Sequence, residues 1–593
     1  MKAHLFGTSP YLPDAGVITA DQLHIQTGGN TGNLMFAHSV TRMLDIPPES
    51  ISWSNNVQHL NPKTNRLVMP LANQLGPHVD LKKLAETLRS VEVPLVGIGL
   101  GAQGPITGPV IDSIPEGSWE WVRVLVEKAP SKAPNLALRG QSTYDMLAEK
   151  GFGSNCVVTG CPSNFINPSP YLGREIYRRR SNGIRKIAVA AGNPFLAQFR
   201  VLEQCLVELV NSSNGIYICQ HPIDMLRLSK GEAGAITHEY YQLYRNYIAP
   251  YLSDDQFLLW FKNNAHAFSS VPEWLATMKR YDLVIGTRIH GIMAGIQAGV
   301  PSLCLCIDSR TLELCQTMNI PHLDANNYKN GIGLYEIDNA LRDWNWRNYD
   351  DNRRNLADVF SKFFSDNDIP AKGSVKKLTE GFQSLANLRK KRQDCNDTHQ
   401  VSTASVGNKY DHIFLTISKH LNVRPVKILS YGCSDGYEPN DLANQFFTTS
   451  LVFGCDIDEV ALDIARKTNQ HPARVRILDF NQEILAQEGP FDLIIAMSVL
   501  CRWPDTQNVE NASKVYSFDK FSTALKDLVG LLSPNGLICV YNSNYRVMDV
   551  DLCGALEPVA LKGLPKVQAV RIFDVDGVPL KEQIVDNIIF KKI

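Results

Sequence analysis

The stretch Tyr281-Asp282-Leu283-Val284-Ile285-Gly286-Thr287-Arg288-Ile289-His290-Gly291, running on to Gly299-Val300-Pro301, decides how the first half of the chain is read. The apolar run through Ile285 predicts a buried strand, Gly286 releases a turn, and Ile289 to Ala298 has helical spacing. A strand that ends in a glycine turn and opens a helix is where α/β proteins bind anions, because the helix N-terminus presents unpaired N–H groups and partial positive charge. Arg288 adds a planar fork suited to a phosphate or carboxylate. His290, two residues on, is a side chain able to exchange a proton near neutral pH.

Outward from this stretch the same grammar repeats. Gly28-Gly29-Asn30-Thr31-Gly32-Asn33 precedes the apolar-spaced segment Leu34 to Leu44, a glycine-rich loop entering a helix. Val93 to Leu100, Leu136 to Leu138 and Cys156 to Thr159 read as buried strands, the second ending at Arg139. After the polar stretch Arg178 to Gly183, short apolar strands are predicted at Ile187 to Ala191, Ile216 to Cys219, Phe257 to Phe261, Leu283 to Ile285 and Leu303 to Ile307. Strands alternating with helices at this spacing predict parallel sheets with sites at their carboxyl edges, which places Arg139 and His221 as further candidates. A helix-rich segment follows from Ile337 to Phe364.

A chain of 593 residues holds two to four domains. Hydrophobic content of 44%, charged content of 20% and a formal net charge of −1 give no bias toward nucleic acid or membrane. The 13 cysteines contain no Cys-x-x-Cys pair, which predicts buried free thiols in a reducing cytoplasm and no required metal; Cys304 and Cys306 read as strand packing. Met1 to Gly16 lacks the layout of a secretory signal, and no apolar run approaches the roughly 20 residues that cross a bilayer.

From about Asp366 to Asn408 the composition turns polar, with the basic run Arg389-Lys390-Lys391-Arg392, and this reads as a linker. A second informative site follows. The strand Val426 to Ser430 leads into the glycine turn Tyr431-Gly432-Cys433-Ser434-Asp435-Gly436-Tyr437-Glu438-Pro439. The next strand, Val452 to Asp458, places Asp456 about 20 residues past the glycines, the offset at which a carboxylate meets ribose hydroxyls in dinucleotide-type folds.

With these residues in view, Gly286-Thr287-Arg288-Ile289-His290-Gly291 with Ala294 and Gly299-Val300-Pro301 resembles the signature of the polysaccharide pyruvyl transferase family. The resemblance implies a two-lobed, GT-B-like doubly wound α/β domain over about 1–365, with lobes of about 1–180 and 181–365. It also implies phosphoenolpyruvate as co-substrate and a saccharide acceptor, lipid-linked or part of a polysaccharide repeat. His290 would act as acid or base, and Arg288 and Arg139 as anion clamps. The alternative within this fold is a nucleotide-sugar glycosyltransferase. Its usual ribose-binding Glu-Ala pair is replaced here by Ala294-Gly295, and alanine accepts no hydrogen bond through its side chain.

Residues 409–593, after a linker over 366–408, resemble a Rossmann-like class I S-adenosylmethionine-dependent methyltransferase. The glycine turn with Leu442-Ala443 is most similar to that of chemoreceptor glutamate methyltransferases. The resemblance implies an S-adenosylmethionine site at Gly432, Ser434, Gly436, Glu438 and Asp456, with Asp479 and Phe480 at the adenine edge. Ser430 stands where an acidic residue is usual, so Glu438 or a backbone group would take that contact. Ser498 to Asp505, with Arg502 and Trp503, would line the acceptor pocket, and Val567 to Phe573 with Ile584 to Lys591 would form the last hairpin. The expected whole is a cytoplasmic, glycan-decorating enzyme with two transferase activities; the alternative from another class makes one half a non-catalytic binding module.

Overall fold

In the computed structural model the chain forms two compact units, Met1–Gln383 and Ser384–Ile593. The structure describes residues 3–12, 16–47, 50–54, 56, 64–180, 183–371, 375, 378, 399–400, 410–421 and 424–593. The basic run 389–392 lies outside them.

The first unit holds two six-stranded sheets whose strands all pair in parallel. The first contains β1 (Ala3–Phe6), β2 (Ile51–Ser54), β3 (Arg66–Pro70), β4 (Leu95–Leu100), β5 (Leu136–Leu138) and β6 (Cys156–Val158), in the order β2-β1-β3-β4-β5-β6. The second contains β7 (Ile187–Ala190), β8 (Ile216–Ile218), β9 (Ala265–His266), β10 (Leu283–Gly286), β11 (Ser302–Cys306) and β12 (His322–Asp324), in the order β12-β11-β10-β7-β8-β9. β4, β7, β10 and β11 are buried along their whole length, as strands covered by helices on both faces must be. In the second sheet the winding reverses between β7 and β10, where Gly286 pairs with Ala190. The crevice outside the carboxyl ends at such a switch point is where open α/β sheets bind ligands.

The helix Trp346–Asp366 runs back onto the first lobe. Arg353 donates to the carbonyls of Asn164 (2.7 Å), Ser169 (2.6 Å) and Asn167, and Phe360 meets Phe165 edge-on at 5.3 Å. One apolar core joins Val68 and Val96 of the first sheet to Val284 and Cys304 of the second, and Ile369, Val375 and Leu378 still belong to it.

Two sequence expectations are corrected. Phe257 to Phe261 is not a strand but part of the helix Asp254–Asn264. Ser253 caps that helix and Gln256 bonds back to it, and Phe257, Trp260 and Phe261 form its buried face. The strand at that edge shrinks to Ala265–His266.

The second unit is one seven-stranded sheet made of β13 (Lys427–Tyr431), β14 (Leu451–Asp456), β15 (Val475–Asp479), β16 (Phe491–Met497), β17 (Leu532–Tyr541), β18 (Leu556–Pro558) and β19 (Ile589–Lys592). Its order is β15-β14-β13-β16-β17-β19-β18, with β19 antiparallel to both neighbours and the switch point between β13 and β16. The expected partner of the last strand is the second correction: β19 pairs with β18, and Val567 meets Ile584 only in an isolated bridge. The Val567 to Phe573 segment instead bonds to the loop after β17, the Ala569 N–H to Asn542 Oδ1 (3.0 Å) and the Gln568 amide to the Ser543 carbonyl (2.6 Å). Among the described residues no helix is long and apolar enough to cross a membrane.

Candidate functional site

The first site is built at the carboxyl ends of β7 and β10. Gly286 has φ 149°, and a Cβ there would lie 2.2 Å from the Ala190 carbonyl oxygen, so only glycine lets the two strands end side by side. Arg288 is the N-cap of the helix Ile289–Gln297, whose every residue is buried. His290, in its first turn, stands with its ring 5.5 Å from that of Phe36 and its Nε2 3.8 Å from Cys161 Sγ. The Arg139 guanidinium lies 5.5 Å from the same Phe36 ring, so the two lobes meet across it.

The glycine loop of the first lobe arrives at the same place. Gly28 and Gly29 take φ 64° and 87°, and His221 Nδ1 donates to the Gly29 carbonyl at 3.0 Å. The Thr31 N–H donates to the Gln220 carbonyl at 3.2 Å. A Cβ on Gly32 would sit 2.7 Å from Gln220 Oε1 and 3.1 Å from His290 Cβ, so the loop, Gln220 and His290 form one cluster.

Positive charge is concentrated here. Arg288 Nη2 donates to the His221 carbonyl at 3.2 Å. Arg310, on the helix Ser309–Met318 that follows β11, adds a guanidinium whose field reaches Arg139, Arg288, His221 and His290. Burial and the Arg310 charge pull Arg288 down to about 10, against Glu203 and Asp308, which act to raise it. Burial, then Arg139 and Arg310, hold His290 well below the usual imidazole range, so it is neutral at pH 7. Two donors of Arg139 are engaged, Nε with the Gly99 carbonyl (2.7 Å) and Nη2 with that of Leu71 (3.2 Å). The buried acids nearby are themselves held by the protein. Glu203 accepts from the Gly192 N–H and the Tyr217 hydroxyl, Glu313 from the Thr143 N–H and hydroxyl, and burial raises both.

Five buried polar atoms around these strand ends have no hydrogen-bond partner among the described residues: Thr31 Oγ1, Gln220 Nε2, Thr287 Oγ1, Arg288 Nε and Arg310 Nε. Buried polar groups are nearly always paired, so such a gathering fits a polar ligand. Arg310 and Gln220 escaped the sequence reading. For Arg310 the signal was the strand-to-helix turn Asp308-Ser309-Arg310-Thr311, where Asp308 caps the helix; Gln220 carried none beyond its place after β8.

The second site lies at the end of β13. Gly432 and Gly436 have φ 74° and 81°, and Ser434, in the place of a middle glycine, takes φ 49°. Added Cβ atoms would meet Val499 at 2.4 Å from Gly432 and Ala465 at 2.7 Å from Gly436. Asp456 Oδ2 accepts the Ser434 N–H at 2.8 Å and Oδ1 accepts the Asp458 N–H at 2.9 Å, so this carboxylate pins the turn. Ser430 Oγ donates to Glu438 Oε1 at 2.8 Å, which brings an acid back to the position Ser430 leaves neutral. Phe480 is 38% exposed with its ring edge-on to Tyr431 at 5.8 Å, beside a cavity of about 330 Å³ bounded also by Leu485, Asp527 and Leu531. Asp479 is exposed and paired with Arg466 at 2.6 Å. Trp503 is 42% exposed, while the Arg502 N–H is held by Asn544 Oδ1 at 2.7 Å.

Residues 30–309 match the family model of polysaccharide pyruvyl transferase, and residues 429–538 match that of a methyltransferase domain. The chain joins a polysaccharide pyruvyl transferase domain to a methyltransferase domain. Both families are transferases. A search of curated proteins gives no match. Among solved structures the chain is similar to PKMT2 from Rickettsia typhi (21% identity, 25% of this chain and 28% of that chain, TM-score 0.18). It is also similar to TrmN from Thermus thermophilus (15%, 31% and 49%, TM-score 0.20). A third is the magnesium protoporphyrin IX methyltransferase ChlM from Synechocystis PCC 6803 with bound SAH (17%, 28% and 71%, TM-score 0.18). The chain covers 36%, 43% and 28% of the first three solved chains it matches.

Proposed function

We propose that the pyruvyl transferase domain moves the enolpyruvyl group of phosphoenolpyruvate onto two hydroxyls of a saccharide, forming a cyclic ketal, and that the methyltransferase domain methylates a saccharide or related acceptor. The observation that carries the first half is a buried, neutral His290 under the charge of Arg139 and Arg310, with Arg288 capping the same helix and lying in the field of Arg310. Phosphoenolpyruvate brings a phosphate and a carboxylate, and the free Nε groups of Arg288 and Arg310 are suited to bind them. Arg139, with Nε and Nη2 on backbone carbonyls, contributes chiefly its charge. With the ligand's negative charge in place, His290 gains a proton and delivers it to the methylene carbon. One sugar hydroxyl attacks the neighbouring carbon as the double bond is lost, its proton returning to His290; the second then displaces inorganic phosphate, which leaves with the second hydroxyl's proton and whose departing charge the guanidinium groups stabilise.

In the methyltransferase domain the residues fit S-adenosylmethionine. The left-handed Gly432, Ser434 and Gly436 keep the turn free of bulk, Glu438 beside Ser430 would take the amino group, and Asp456 and Phe480 would hold the ribose and adenine. When bound, that cofactor supplies an activated methyl group. The chain's own part is to hold the acceptor in line with it.

The test is a thermal shift of the full chain and of Arg288→Ala with phosphoenolpyruvate, UDP and GDP. A ligand at 100 times its dissociation constant stabilises by about 2.7 kcal/mol. Stabilisation by phosphoenolpyruvate that vanishes in the variant is expected; stabilisation by a nucleotide alone would replace this reading with a glycosyltransferase.

A further inference from the structure

The second sheet carries a cluster that the anion site does not use. Cys304 and Cys306 stand on one face of β11, and Cys315 meets that face from the helix Ser309–Met318; all three side chains are fully buried. Their sulfurs lie within 4.8 Å of one another, with Cys306 and Cys315 at 3.8 Å. A tetrahedral zinc with Zn–S bonds of about 2.3 Å sets its sulfurs about 3.8 Å apart, so one edge already has ligand spacing and the others close by about 1 Å or less.

A nitrogen donor stands on the same face, outside the three-sulfur group itself. His322 on β12 occupies the register position of Cys304, so the two side chains leave the sheet on the same face. Its Nδ1 donates to the Ile320 carbonyl at 2.8 Å, which leaves the Nε2 lone pair bare. That tautomer, fixed by a backbone carbonyl, is the one metal-ligating histidines adopt. A buried cysteine is ordinarily a small apolar filler. Three converging sulfurs beside an imidazole in its ligand tautomer are more than filling.

We infer that Cys304, Cys306 and Cys315 form a site for one thiophilic d10 cation, Zn²⁺ or Cu⁺, with His322 as the candidate fourth ligand. Thiolates select these two ions, and a site without solvent access is structural. The ion would fasten β11 to the helix that carries Arg310 and Glu313, and so fix one wall of the anion site.

The experiment uses the full chain, reduced and stripped by chelator, in a Cys553→Ser background that removes the exposed thiol among the described residues. Metal content as purified is read by mass spectrometry, Co²⁺ serves as the optical probe for the zinc arm, and Cu⁺ is titrated against a coloured chelator. The expected result is one equivalent per chain, with a sulfur-to-cobalt charge-transfer band or a Cu⁺ complex that outcompetes the chelator. Binding should be lost in Cys306→Ser and kept in Cys539→Ser. Cys304→Val, which preserves volume, should weaken binding without unfolding and covers the case in which Cys306→Ser does not fold. Failure of the folded parent chain to take up either ion stoichiometrically overturns the site, as does stoichiometric binding that survives in Cys306→Ser.

Discussion

Arg353 ties the return helix to the first lobe, and replacing it by methionine tests that tie. The side chain is 1% exposed and donates to three carbonyls of one loop, those of Asn164, Asn167 and Ser169. Methionine keeps most of the length and removes every donor. A buried acceptor left unsatisfied costs about 1–3 kcal/mol, and three adjacent ones relax together, so we expect about 3–4 kcal/mol of lost local stability. Hydrogen exchange across residues 162–170 should then quicken by roughly two to three orders of magnitude, while peptides of the methyltransferase unit, measured in the same sample, stay unchanged. The loop begins next to Cys161, whose sulfur faces His290, so pyruvyl transfer should fall while methyl transfer continues. Exchange in a folded Arg353→Met chain within a factor of about three of the parent would refute the reasoning, since it would mean water or a shifted loop satisfies those carbonyls as well as the guanidinium does.

Arg310→Met should abolish stabilisation by phosphoenolpyruvate in a thermal shift and leave S-adenosylmethionine binding intact, because its Nε is a free donor at the anion site only. Glu438→Ala should weaken S-adenosylmethionine binding by about 1–3 kcal/mol in titration calorimetry, the worth of a hydrogen bond to a charged group, without touching the response to phosphoenolpyruvate. Gly291→Ala should cost about 1–3 kcal/mol in a denaturant transition, since its Cβ would lie 2.6 Å from Ala190 Cβ and 2.9 Å from Gln220 Nε2, whereas Gly234→Ala, with open space around it, should be nearly neutral. His38 falls from 6.5 to about 4, chiefly by burial and then by Arg42, so the unfolded chain binds its proton first. The stability associated with neutral His38 is complete above pH 6.5 and is lost as the pH falls toward 4, by about 3 kcal/mol at most, and His38→Leu should flatten that part of the denaturant-midpoint profile.

The strand, glycine turn and helix at 283–297 and the glycine turn with its acid at 431–456 were legible because both are local devices: the residues that make the turn also stand at the carboxyl ends of the strands. What the turn residues touch was not. Arg139 stands at a strand end as expected, but only the fold shows two of its donors spent on Gly99 and Leu71. Arg310 reaches His290 from the helix that follows β11, the strand beside β10, and no spacing rule links the two positions. Phe257 to Phe261 misled because a short aromatic run fits a strand or a buried helix face equally well; the deciding mark was the Ser253 and Gln256 pair outside the run. In the same way the alternation of Cys304 and Cys306 fixed their face, and nothing in it announced Cys315 descending onto that face from the next helix.

The two guanidinium charges of Arg139 and Arg310 on His290 make proton occupancy and anion occupancy one equilibrium. Without a counter-charge the imidazole sheds its proton to the solvent; an anion that offsets Arg139 and Arg310 lets it take one back. Association with a polyanion therefore draws protons from the buffer. The measured heat varies with the buffer's own ionisation enthalpy, and affinity strengthens as the pH is lowered through the range in which the complex, but not the free protein, holds the proton.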